Sequence, residues 1–353
     1  MPGARPYTPP VPYELPADRR ADRRGAIGRW ATFGILALLV ALLAYLGYVG
    51  FAGSAQVLDP ARSRDCRTPA HLAWTYEAIG YDIASDERLA SVPEPTDCDV
   101  APAMAGDALV GADGISLAGW YIPAGSAGPE APTIVLTHGH GVSKSSLLTR
   151  AELLHPDYNL VLFDFRNHGQ SEEAVTTAGL RERLDLAAVL DWLEAEKAPS
   201  SIGVLAVSMG GAAALMEVRS DGRVDALVVE STHATLANAI GARLDRHGYP
   251  LAVPAAWAIL LGGLIRSGED MSAADPIQAI EDYGDRPLLL VAGGRDDAMA
   301  STDADDLLAA ARAGGADVTL RVCAEAGHAA SLEQCPGEYR DWVLGFFADA
   351  LGG

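Results

Sequence analysis

The chain has 353 residues, 49% of them hydrophobic, and sets 26 Lys and Arg against 47 Asp and Glu for a net charge of −21. That length accommodates one large α/β domain with additions. So acidic a chain excludes electrostatic binding of nucleic acid and is repelled by bare anionic surfaces, so the charge reads mainly as solubility.

The first 29 residues differ from the rest. They are rich in Pro and hold six Arg against Glu14, Asp18 and Asp22, a net of +3, which predicts a disordered tail at 1–29. Trp30 to Ala52 then carry no charged side chain. As a helix this stretch reaches about 34 Å, enough to cross a bilayer core. A cleavable secretory signal ending near Ala52-Gly-Ser-Ala55 is the alternative. The apolar stretch is longer than the roughly 7–15 residues of a signal core and follows a long polar segment, so an uncleaved transmembrane helix at 30–52 is expected. Arg19, Arg20, Arg23, Arg24 and Arg29 precede it, against Arg62, Arg64 and Arg67 after it. That bias predicts a single-pass protein with a cytoplasmic N-terminus and its main domain outside the cytoplasm.

All four cysteines, Cys66, Cys98, Cys323 and Cys335, follow the span. An even number in an oxidising compartment suits two disulfides, with local pairing of Cys66 to Cys98 and Cys323 to Cys335 favoured among the connectivities. Residues 53–106 read as a juxtamembrane stalk or an accessory layer. From 107 to 353 strands alternate with helices. The candidate strands are Asp107–Val110, Ser116–Ile122, Thr133–His138, Asn159–Asp164, Ile202–Val207, Ala226–Glu230, Pro287–Ala292 and Thr319–Cys323. Candidate helices are Lys144–His155, Leu180–Glu196, Gly210–Arg219, Thr302–Ala313 and Glu338–Leu351. This alternation predicts an α/β fold, a mainly parallel sheet with helices on both faces. A cap is expected at about 231–286. Its Leu251-Ala-Val-Pro-Ala-Ala-Trp-Ala-Ile-Leu-Leu-Gly-Gly-Leu-Ile265 run is interrupted by Pro254 and too short to span a membrane comfortably. It reads as a cap helix buried on the body, or as a lid whose apolar face lines an acyl-sized pocket or touches lipid.

The chemistry centres on Ser201-Ile-Gly-Val-Leu-Ala-Val-Ser-Met-Gly-Gly211. An apolar strand runs into Ser208, and small residues then open a helix. This is a nucleophile elbow, although Ala206 stands where the pattern usually has glycine. A serine hydroxyl is a poor nucleophile without a base, and the base needs an acid to orient it. Pro287-Leu-Leu-Leu-Val-Ala-Gly-Gly-Arg-Asp-Asp297 and Thr319-Leu-Arg-Val-Cys-Ala-Glu-Ala-Gly-His328 supply both, each after a late strand. Either Asp296 or Asp297 fits the acid's place. Asp297 is preferred because Gly294 precedes it by three positions and a small apolar run follows it. The expected triad is therefore Ser208, Asp297 and His328. The oxyanion donors expected are the backbone N–H of Met209, just after the nucleophile, and that of His140 in Thr137-His-Gly-His-Gly141. A metal pair at His138 and His140 is the rival reading, but no further ligand cluster completes it.

Together with Leu117-Ala-Gly-Trp-Tyr-Ile-Pro123, Asp164-Phe-Arg-Asn-His-Gly-Gln-Ser171, and Gly179 with Glu182 and Asp185, these motifs resemble the α/β-hydrolase superfamily over about 107–353. More narrowly, the chain resembles the group that includes the BEM46-like and dienelactone-hydrolase-like proteins. Asp164, Arg166 and Gly169 resemble a structural turn. The resemblance implies no metal or organic cofactor and substrates among esters, thioesters, amides and lactones. The expectation is a membrane-anchored serine hydrolase acting on a small-molecule or lipid ester. A peptidase or thioesterase of the same fold, or a catalytically silent binding domain, is the alternative.

Overall fold

The computed structural model describes residues 19–92, 109–128 and 130–352, with Pro9, Pro95 and Cys98 besides. Most of the expected tail and the start of the Asp107–Val110 strand lie outside the described residues. The chain divides into two compact units, Met1–Tyr48 and Val49–Gly353.

The helices in chain order are α1 (Arg19–Leu58), α2 (Ala84–Ala90), α3 (Leu148–Leu154), α4 (Glu182–Glu196), α5 (Met209–Val218), α6 (Leu236–Arg246), α7 (Ala252–Ser267), α8 (Pro276–Glu281), α9 (Asp303–Ala313), α10 (Ser331–Gln334) and α11 (Pro336–Leu351). Helix α1 begins in the first unit and ends in the second. Its Arg29–Leu58 stretch contains an 18-residue window with a mean hydropathy of 2.3 and is long and apolar enough to cross a membrane. Residues 19–29, expected in a disordered tail, are helical. No proline follows Pro16 there, and Arg and Ala are good helix formers.

The second unit is built on one eight-stranded sheet. Its strands are β1 (Glu77–Ile79), β2 (Gly119–Ile122), β3 (Thr133–Thr137), β4 (Asn159–Phe163), β5 (Ile202–Val207), β6 (Ala226–Glu230), β7 (Pro287–Gly293) and β8 (Asp317–Cys323), in the order β1-β2-β4-β3-β5-β6-β7-β8. Strands β3 to β8 run parallel, and β1 and β2 form an antiparallel edge. Both faces are buried. Val135, Val204, Ala206, Val229 and Leu290 point to one layer, packed with α4, α5, α8 and α9. Leu136, Leu205, Val207, Val228 and Leu289 point to the other, packed with α3 and α11. This period-two split is why the strands read as continuous apolar runs.

Two sequence readings are resolved here. Of stalk and accessory layer, the described part of 53–106 fits the second, since Glu77–Ile79 forms β1 at the sheet edge and the compact body starts at Val49. Pro254 does not interrupt the cap helix. It falls in the first turn of α7, where its missing N–H has no helical partner to lose. The cysteines pair locally, Cys66 with Cys98 and Cys323 with Cys335, with Cα separations of 6.3 and 6.1 Å.

Candidate active site

Strand β5 ends at Val207, and the chain turns sharply into α5 through Ser208, whose φ of 55° and ψ of −118° lie in a region side chains rarely adopt. The strain is held by neighbours. The Ser208 N–H donates to the Glu230 carbonyl of β6 at 2.8 Å, and the Thr232 hydroxyl donates to the Ser208 carbonyl at 3.0 Å. Glycines let the helix start this close. A Cβ at Gly210 would stand 2.5 Å from the Thr137 Oγ1, and one at Gly211 would overlap Thr232. The Ala206 methyl, the one departure from the elbow pattern, is buried in the core layer containing α4 and α5.

His328 follows β8. Its Nε2 lies 2.9 Å from the Ser208 Oγ, and its Nδ1 lies 3.0 Å from Asp296 Oδ2 and 3.2 Å from Oδ1. An ionised carboxylate can only accept, so Nδ1 carries the proton and Nε2 is the free base facing the serine. The carboxylate that meets His328 is therefore that of Asp296. Asp297, the residue expected from sequence, is exposed and stands outside this chain of hydrogen bonds. The turn explains the difference. The Asp296 N–H bonds the Gly293 carbonyl and the Arg295 N–H bonds the Ala326 carbonyl, which ties the loop to the segment after β8 that carries His328 and presents position 296 inward. Burial alone would raise the Asp296 carboxyl. The His328 N–H, the Ala298 N–H and the Ser231 hydroxyl favour its ionised form and hold it below the ordinary carboxylate range.

The loop after β3 crosses the nucleophile. A Cβ at Gly139 would stand 3.2 Å from that of Ser208 and crowd the nucleophile. The Met209 N–H is the first of its helix and, with that of His140, finds no acceptor among the described residues. The His140 side chain turns away, and its Nε2 donates to the Val57 carbonyl of α1 at 3.0 Å. His138 is buried, donates from Nδ1 to the Gly139 carbonyl at 2.7 Å and accepts the Phe165 N–H at 3.0 Å on Nε2. Burial pushes it down to about 3, so it is a neutral brace for the loop. Asp164 accepts from the Lys144 ammonium, its N–H and the Gln170 N–H, and so serves as a turn anchor.

Sequence reasoning does not find a second group of residues beneath the histidine. Arg150 of α3 donates two hydrogen bonds to Glu230 at 2.8 and 3.0 Å and another to the Ala329 carbonyl at 2.7 Å. Glu230 also accepts the Ser331 N–H at 3.3 Å and the Tyr339 hydroxyl at 3.0 Å. The Ser231 hydroxyl accepts the Ala329 N–H at 3.0 Å. These groups clamp the residues just after His328, and the Cys323–Cys335 bridge closes the same loop. A buried carboxylate ending the apolar strand Ala226-Leu-Val-Val-Glu230 is the one signal that could flag them.

A description of the alpha/beta hydrolase family matches residues 134–342. Uncharacterized protein Rv2307c of Mycobacterium tuberculosis is 29% identical over 223 residues, covering 62% of this chain and 71% of the relative. Uncharacterized protein YfhR of Salmonella typhi is 24% identical over 259 residues, covering 68% and 80%. Among solved structures, the Pyrococcus furiosus esterase Pf2001 superposes with a TM-score of 0.63 at 23% identity, over 83% of this chain and 98% of that one. That likeness shows the fold. With the parallel sheet, the strained serine after β5 and the histidine after β8, the match over more than half the sequence places this chain in the alpha/beta hydrolase family.

Proposed function

We propose that the protein is a membrane-anchored serine hydrolase that cleaves a carboxylic ester through an acyl-enzyme. The observation that carries this reading is the unbroken line from Asp296 through His328 to the Ser208 Oγ on its elbow. His328 Nε2 takes the serine proton as Oγ attacks the carbonyl, and Asp296 fixes the tautomer and stabilises the imidazolium. The Met209 and His140 N–H groups receive the oxyanion. His328 then returns the proton to the leaving alcohol, and a water activated by the same nitrogen releases the acid. Esters come before amides because the solved neighbour is named an esterase. The long apolar helix of α1 supports the anchor, with the body outside the cytoplasm, where both disulfides persist.

Labelling with a fluorophosphonate probe tests the mechanism. Wild type should label and Ser208→Ala should not. Unlabelled folded wild type, or an Ala variant that still labels, overturns the reading. Parallel assays with p-nitrophenyl esters and aminoacyl amides should show turnover of the esters first.

A further inference from the structure

The cap helix α7 is apolar on two opposite sides, and only one of them is covered. Ala255, Ala256, Ile259, Leu260 and Gly263 are buried. Leu260 joins Leu58, Leu236 and Met271 in a cluster with Val57 and Ile240, which ties α7 to α6 and to the last turn of α1. On the other side Val253, Trp257, Leu261, Leu264 and Ile265 follow helical spacing and stand in the open, Ile265 at 77% exposure. Outside α1, seven of the twelve exposed large apolar side chains among the described residues lie between Tyr249 and Ile265. Such concentration in α7, which holds five of them, and in the turn before it marks an interaction surface rather than scatter.

What covers this stripe follows from its neighbour. Along its flank α7 meets Gly50, Gly53 and Ser54 of α1, where Ala258 and Gly262 approach so closely that a Cβ on Gly50 or Gly262 would meet the other helix's backbone. Small residues on both helices allow this contact, as between helices packed in lipid. Gly50 and Phe51 belong to the uncharged stretch read above as the membrane span. Arg266 ends α7 with its guanidinium 3.7 Å above the Phe51 ring and a hydrogen bond to the Phe51 carbonyl at 3.2 Å. An apolar helix clamped to the end of a span, with an arginine at its own end, sits at the depth of the bilayer boundary.

Charge agrees. In a chain of net −21, α6 and α7 with the turn between them (236–267) hold Arg243, Arg246 and Arg266 against Asp245 alone, a local +2 that ends at Glu269 and Asp270. Arg243 and Arg246 are exposed on α6, and Arg246 also donates to the Met299 carbonyl at 3.2 Å. This collar suits lipid phosphates, whereas a two-fold pairing with a second copy would bring the same arginines together. We infer that the Val253–Ile265 stripe of α7 is seated in the outer boundary of the bilayer, so that the cap is a second, in-plane membrane contact. The inference rests on the anchor reading of α1. It also deepens the proposed function. The Val57 and Leu58 carbonyls accept from His140 and Asn167, so the end of α1 lies against the loop over Ser208, and a bilayer-borne amphiphilic ester is the substrate this placement would suit.

No cysteine is free among the described residues, so one introduced thiol can carry a nitroxide. The full chain would bear it at Leu36→Cys in the span, Trp257→Cys or Leu261→Cys on the stripe, or Ala309→Cys on exposed α9, in vesicles of phosphatidylcholine and phosphatidylglycerol. Each variant is kept only if Ser208 still takes the fluorophosphonate. Positions 257 and 261 should collide with oxygen more than with a water-soluble nickel chelate, as position 36 does, while 309 shows the reverse. A pattern at 257 and 261 like that at 309 overturns the inference, and so does exclusion of both reagents, which would mean a protein partner. Position 36 reads the anchor by itself, so failure there is distinguishable. In a second arm, Leu261→Glu should lose about tenfold or more in turnover of a long-chain ester embedded in vesicles while soluble short-chain ester turnover stays within about twofold. Equal losses on both, or none on either, overturn it.

Discussion

Two adjacent aspartates in one loop have different fates, and the difference is measurable. Asp296 bonds the Nδ1 of His328 and Asp297 faces solvent. Asp296→Asn would leave the ring in the wrong tautomer and should lower kcat about a thousandfold or more, while Asp297→Asn should stay within about threefold. Equal effects on kcat for a soluble ester would sink the assignment. Sequence order was enough to pair Ser208 with His328, which the structure brings within 2.9 Å, since a strand, a serine and small residues announce an elbow locally. It could not separate 296 from 297, because the choice depends on Arg295 bonding Ala326 across a gap of thirty-one positions. His233 was also illegible. It is buried beside His328, its Nε2 has no partner among the described residues, and burial pushes it down to about 4. The folded protein thus holds His233 neutral while the unfolded chain takes up its proton near pH 6.5, so acid favours unfolding between those values. Relative to His233→Leu, wild type should lose about 1.4 kcal/mol per pH unit below roughly 6.5. Melting temperatures of the two proteins from pH 7 to pH 4.5 check this, and parallel curves would refute it.

At the level of elements, β3 to β7 were legible because a strand buried on both faces must be an apolar run, whereas the exposed edge strand β8 showed only alternation. The start of α1, the edge strand β1 and the outward stripe of α7 were not. Each depends on what a segment packs against, which periodicity does not record. The clamp beneath His328 belongs to this scale, since it joins α3, β6 and α11 to one loop. Arg150 and Glu230 are both buried, with side-chain exposures of 6% and 0%. Glu230→Gln leaves the guanidinium without its counter-charge and should destabilise the protein by about 3–5 kcal/mol. If the clamp positions His328, a folded fraction isolated at low temperature should lose kcat with KM nearly unchanged. Full activity in folded Glu230→Gln would reduce the clamp to a packing feature. The Cys323–Cys335 bridge acts on the same loop from outside, closing a sequence separation of 12.

For the whole molecule, the proposed topology and the disulfides form one argument. If α1 is an anchor with the body outside the cytoplasm, Cys66–Cys98 and Cys323–Cys335 lie where thiols stay oxidised. The loops they close, of about 33 and 13 residues, would each stabilise the body by roughly 3–4 kcal/mol through the unfolded chain. Protein taken from membranes, denatured without reductant, should therefore show no reactive thiol and, after reduction, four. It should also resist extraction by alkaline carbonate, which strips proteins held only by surface charge, and a body of net charge −24 beyond residue 29 gives little such attraction to anionic lipid. Two or more free thiols before reduction would place the body in a reducing compartment. Release by carbonate would mean that α1 is cleaved or does not span. Full oxidation with carbonate resistance is the outcome that α1 and the two disulfides jointly require.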